Sequence, residues 1–141
     1  MHNLTKIKYD INAMKFISMF ESITGADLKD CFEQNDKLIF VVKEGEIGKA
    51  IGKKGANTRK LERILRKKIR IIEFDPDLIK FIQNVVFPLK VKEIKMEDDI
   101  ATIVPPDTQT RGYLIGKGAV NLRNTEAVVK RYFDLKEIKV V

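Results

Sequence analysis

The stretch AIGKKGANTRKLERIL (residues 50–65) places two glycines around a pair of lysines directly ahead of a helical pattern. Glycine weakens a helix and neighbouring ammonium groups repel, so local stability alone does not account for the arrangement. Sliding the chain along itself shows that it is used twice. GKAIGKKGANTRKLERIL (48–65) aligns with GYLIGKGAVNLRNTEAVV (112–129), sharing Gly48/Gly112, Ile51/Ile115, Gly52/Gly116, Lys53/Lys117, Asn57/Asn121, Arg59/Arg123 and Glu62/Glu126. Seven identities in eighteen positions exceed chance. The chain therefore reads as two copies of a unit of roughly 65 to 70 residues.

Outward from the loop, element signals follow in one order in both copies. In the first, Asp10 is placed to cap a helix with Ile11, Met14, Ile17, Phe20 and Ile23 on its apolar face, and Gly25 suits its end. β-rich runs at 28–32 and 38–42 flank EQNDK, a turn signal, and predict a hairpin. A short helical piece carrying Ile47, Ala50 and Ile51 leads into the glycine loop, and the next helix turns Leu61, Ile64 and Leu65 inward. KIRIIEF (68–74) closes the unit as a strand.

In the second copy Asp75 is suited to cap a helix with Pro76 at its first position. Leu78, Ile79, Ile82 and Val86 form its buried face, and Phe87-Pro88 ends it. Strands at 89–96 and 100–104 flank EDD, with an apolar phase slip between Val91 and Ile94 that points either to a bulge or to a strand placed in the wrong register. A short helix, the loop at 116–119, a helix to about Phe133 and the strand KEIKVV complete the copy. The predicted fold is α+β, two α-β-β-α-α-β units at 1–74 and 75–141. The join between them is too short to let them swing, so they are expected to pack as a rigid pair.

Bulk composition narrows the function. With 141 residues, 44% hydrophobic, the chain can bury a core. Its net charge of +7 favours a polyanionic partner, either nucleic acid or an anionic surface. One cysteine, Cys31, and one histidine, His2, exclude an intramolecular disulfide and a Cys/His zinc site, and Cys31 reads as a small core residue. No metal or cofactor is expected. No apolar run reaches membrane-spanning length and the N-terminus has no signal-peptide core, so a soluble cytoplasmic protein and no membrane partner are expected. An enzyme is disfavoured for want of a nucleophile, base or metal cage. Glu97, Asp98 and Asp99 read as a polar hairpin turn. Gly48 and Gly112 each have lysine five residues on, where a Walker loop requires glycine.

The loop itself carries the chemistry. Between two helices, Gly52-Lys53-Lys54-Gly55 makes a turn that another chain can approach closely, and the positive end of the following helix lies at the same spot. Two lysines add mobile charge where an anion is already favoured. From 46 to 70, ten Lys and Arg stand against Glu46 and Glu62, +8 in all.

These features resemble the KH domain, a single-stranded nucleic-acid module whose Gly-x-x-Gly loop clamps the backbone. The α-β-β-α-α-β order is similar to its type II form. Tandem units with VPPD (104–107) ahead of LIGKGAVNLR resemble the NusA family of transcription factors in its short archaeal form, over essentially the whole chain. The resemblance implies an RNA-binding, non-enzymatic protein acting on nascent transcripts in elongation, termination or antitermination, with the transcription machinery as a further partner and a monomer as the default. It implies Gly52, Lys53, Lys54 and Gly55 as the first clamp, with Asn57, Arg59 and Lys60 beside it. Gly116, Lys117, Gly118 and Ala119 form the second, followed by Asn121 and Arg123. Ala119 departs from the expected glycine. Rival readings keep the fold and change the role: a ribosomal or ribosome-assembly RNA-binding factor, or a scaffold in which one copy docks a protein.

Overall fold

The computed structural model describes residues 11–141, with side chains from Ala13 onward. The cap expected at Asp10 and the side chain of Ile11 lie outside the described residues. The chain divides into two compact units, one ending at Asp75 and one spanning Pro76–Val141.

The first unit runs α1 (Ile11–Thr24), β1 (Leu28–Gln34), β2 (Lys37–Val42), α2 (Ile47–Ile51), a 3-10 turn (Lys53–Gly55), α3 (Ala56–Leu65) and β3 (Lys68–Glu73). β2 is the central strand, antiparallel to β1 and parallel to β3. The parallel pairing needs a crossover, which α2 and α3 supply. The hairpin turn is Asn35-Asp36, both at positive φ (49° and 62°), the backbone that matches strand twist in a two-residue turn. Asn and Asp tolerate it better than other non-glycine residues.

Phe20 of α1, Ala50 of α2 and Leu61 of α3 join Leu38, Phe40, Val42 and Ile69 of the sheet in one buried cluster. Phe20 and Phe40 stack with ring centroids 4.3 Å apart. Cys31 is buried in the same cluster, as a small hydrophobe. Two expected core residues face solvent instead: Met14 is 61% exposed and Ile64 43%. A strict three-residue repeat drifts around a helix of 3.6 residues per turn, so the face of α1 that stays buried passes through Phe16, Ile17, Phe20 and Thr24. The bulge of this sheet lies between Leu28 and Asp30.

The second unit repeats the order: α4 (Leu78–Val86), β4 (Glu93–Glu97), β5 (Ile100–Val104), α5 (Thr108–Ile115), a 3-10 turn (Lys117–Ala119), α6 (Val120–Lys130) and β6 (Glu137–Val140). Its sheet has the same pairing, with β5 central, antiparallel to β4 and parallel to β6. Asp98 and Asp99 make the hairpin turn at φ 52° and 62°, copying Asn35-Asp36.

Three expectations change here. The cap of α4 is Asp77, whose carboxylate accepts from the Ile79 and Lys80 amides, and not Asp75. Asp77 directly precedes the buried stretch, so capping there puts Phe81, Ile82, Val85 and Val86 inward. The phase slip between Val91 and Ile94 is no bulge but the mark of a misplaced strand, because β4 begins only at Glu93 and pairs with β5 without interruption. The last helix ends at Lys130, and Tyr132 and Phe133 instead pack their rings around Phe81 at 5.5 and 5.6 Å.

Candidate nucleic-acid interface

In both units the helix before the loop stops at a glycine in a backbone region closed to other residues: Gly52 at φ 77°, ψ 171° and Gly116 at φ 74°, ψ 173°. Steric room imposes the same choice, since a Cβ on Gly52 would lie 2.8 Å from the Asn57 amide and one on Gly116 2.7 Å from that of Asn121. These asparagines pin the loop. Asn57 Nδ2 donates to the Lys49 carbonyl at 3.1 Å and Asn121 Nδ2 to the Tyr113 carbonyl at 2.9 Å, each lashing the start of one helix to the end of the previous one.

Glu62 and Glu126, identical in the repeat, also do structural work. Each accepts from the backbone of the closing strand, at Ile69 N (3.1 Å) and Ile138 N (2.8 Å). Three of the seven shared identities thus hold the loop and its helix in place. The shared lysines Lys53 and Lys117 are exposed at the tip, as is Lys54. No side chain caps α3 or α6, so the positive ends of both helices face the loop without a competing carboxylate.

After the first glycine the two loops trace one path with different residues. The third and fourth positions are left-handed in each: Lys54 (φ 55°) and Gly55 (φ 74°), then Gly118 (φ 63°) and Ala119 (φ 61°). Each copy thus forces one non-glycine residue into that region, Lys54 in the first and Ala119 in the second. Ala119 therefore keeps the loop path that glycine would have taken. The added methyl coincides with a different arrangement of the neighbouring arginine. In the first unit Arg59 Nη1 donates to the Lys54 carbonyl, 3.2 Å from where a Cβ on Gly55 would sit. In the second unit Arg123 turns away, donating to Glu126 at 3.0 Å and to the Ile138 carbonyl at 3.3 Å. Arg123 thus braces α6 against β6, and Arg59 braces the loop tip.

Lys60 is exposed on α3, next to Arg59 and one turn before Arg63. The second unit has Asn124 and Ala127 at the positions of Lys60 and Arg63, so the helix after its loop is less basic. Gly48 and Gly112, paired by the repeat, are not among the clamp residues that the resemblance implies. Both sit inside helices at negative φ, and a Cβ on either would meet open space. Nothing in the fold requires glycine there, although it costs a helix about 1 kcal/mol relative to alanine. The repeat itself was the available signal, since it pairs these two glycines.

Among the described residues no group of acidic, histidine and cysteine side chains could hold a metal ion, and no helix is long and apolar enough to cross a membrane.

Each unit is a three-stranded sheet crossed by a helix-loop-helix connection whose loop opens on a glycine and carries exposed lysine, an arrangement of the KH class. The KH domain family matches residues 16–92, more than half of the chain. The chain belongs to the KH-domain proteins and, among them, to the archaeal NusA-like group. It is 35% identical over 139 residues to the probable transcription termination protein NusA of Methanococcus vannielii, covering 96% of this chain and 80% of that one. The protein of the same name in Thermoplasma acidophilum is 30% identical over 142 residues, covering 97% of each. That of Methanocaldococcus jannaschii is 29% identical over 141 residues, covering 98% of this chain and 77% of the other. A solved structure described as the crystal structure of APE1850 superposes with a TM-score of 0.74 at 29% identity, over 94% of this chain and all of the other. Membership of this family makes the chain an RNA-binding protein without enzymatic activity.

Proposed function

We propose that the chain is a pair of type II KH domains, 1–74 and 75–141, whose glycine loops clamp the sugar-phosphate backbone of single-stranded RNA. The observation that carries this reading is the duplicated loop: one backbone path built twice, with exposed lysines at the tip and an uncapped helix N-terminus behind it. Phosphates seat against Gly52, Lys53, Lys54 and Gly55 in the first unit and Gly116, Lys117, Gly118 and Ala119 in the second. Arg59 and Lys60 extend the first seat. Asn57 and Asn121 act by holding the loops, and Arg123 by holding α6. The bare helix surface at Gly48 and Gly112 lets nucleotides lie close beside each loop.

The RNA is the nascent transcript and the setting is transcription elongation, termination or antitermination; the names of the relatives support termination. The protein works in the cytoplasm as a monomer and meets the transcription machinery there.

The test is a titration of single-stranded RNA against the Lys53→Asp, Lys54→Asp double variant. Wild-type affinity falls with salt by about 0.7 log units per log unit for each phosphate neutralised. Removing two contacts makes that slope shallower by about 1.4 and weakens binding strongly, with the melting temperature unchanged. Unaltered affinity would remove the first loop from the site. Crosslinking in cells separates the roles: nascent messages support the transcription setting, and ribosomal RNA alone would overturn it.

A further inference from the structure

The second loop carries one lysine where the first carries two, yet its surroundings hold something the first does not. Tyr113, on α5 just before the loop, is 56% exposed, and among the described residues its side chain makes no hydrogen bond or ring contact. Its place is fixed all the same, because the Tyr113 carbonyl receives the Asn121 amide that pins the loop. The matching residue of the first unit is Lys49, whose ammonium pairs with Glu46 at 3.7 Å. Val120, 43% exposed, follows the loop where the first unit has Ala56, and the neighbouring Gly112 leaves the helix surface bare. An exposed aromatic face gains free energy when it is covered, and nucleobases of any sequence can stack on it.

Resting on the reading of the loops as RNA clamps, we infer that Tyr113 is a stacking platform for a nucleobase of the strand held at Gly116–Ala119. The first unit then holds RNA mainly by charge and the second mainly by a base face. The two mechanisms have different salt signatures. Phosphate contacts release counterions and stacking does not, so loss of Tyr113 lowers affinity without changing the salt slope.

The experiment titrates fluorescent single-stranded RNA into the full chain at several salt concentrations, comparing wild type, Tyr113→Ala, Tyr113→Phe and the Lys53→Asp, Lys54→Asp variant. An oligomer of abasic ribose-phosphate units serves as second probe, and thermal melts check folding. Tyr113→Ala is expected to weaken RNA binding by roughly ten-fold with an unchanged salt slope, Tyr113→Phe to bind as wild type, and the abasic oligomer not to distinguish Tyr113→Ala from wild type. Wild-type affinity of Tyr113→Ala, alongside a loss in the lysine variant, would overturn the platform and leave the clamps standing. A loss of the same size in Tyr113→Phe would also overturn it, since the hydroxyl and not the ring would be the contact. If neither Tyr113→Ala nor the lysine variant changed affinity, the clamp reading would fall with it.

Discussion

Reciprocal substitutions at the fourth loop position, Ala119→Gly and Gly55→Ala, separate backbone strain from packing. Ala119 sits at φ 61°, ψ 22°, where an L residue costs roughly 1–2 kcal/mol. Glycine removes that strain but gives the unfolded chain more freedom, which takes back about 0.4–1 kcal/mol. The net expectation is a gain of about 1 kcal/mol, a rise of about 3–5 °C in melting temperature for a chain of this size. Gly55→Ala runs the other way. It brings in the same strain at φ 74° and puts a methyl 3.2 Å from Arg59 Nη1, crowding the bond that braces the loop tip. A loss of about 1 kcal/mol or more follows. Thermal melts followed by circular dichroism read both. A destabilised Ala119→Gly, or a Gly55→Ala as stable as wild type, would refute the claim that the two loops share one strained path.

Gly48→Ala is expected to raise stability by up to about 1 kcal/mol, because nothing opposes the new methyl, while weakening RNA binding; a stabilised variant with intact affinity would show that nothing lies on that surface. Asn57→Ala strands the Lys49 carbonyl at the partly exposed end of α2 and is expected to cost about 1 kcal/mol and to loosen the loop, read as faster amide exchange at 52–56. Asp107, the exposed cap of α5, has its carboxyl held below the usual carboxylate range by the Thr110 amide and then by the Thr110 hydroxyl. A depressed pKa gives stability that is present above the unfolded value and lost as pH falls through the folded one. The stability gap between wild type and Asp107→Ala should therefore narrow below about pH 4; a gap that widens there would contradict the cap.

Much of this architecture is legible in the residues because it is written twice. The loop and the two-residue turns at Asn35-Asp36 and Asp98-Asp99 each rest on a local backbone need that few residue types meet. The side chains that face solvent are a different matter. Met14 and Ile64 look like core by spacing, and only packing against the sheet decides which part of a broad apolar stripe stays buried. The choice of Asp77 over Asp75 as a cap depends on where the buried stretch starts, two residues past what local chemistry favours. At the site, the sequence shows that Asn57, Asn121 and Arg123 belong near the loop but not that they hold it, since the carbonyls of Lys49, Tyr113 and Ile138 become partners only after folding. The divergence of Arg59 from Arg123, identical residues at identical offsets, lies beyond any pattern reading.

The most direct measurement is a nitrogen-15 amide spectrum of the 16.2 kDa chain recorded as single-stranded RNA is added. The largest shifts are expected at 52–56 and, more weakly, at 116–120, with the sheet edges still. Shifts gathered on the hairpin turns or on α1, with both loops silent, would contradict the account.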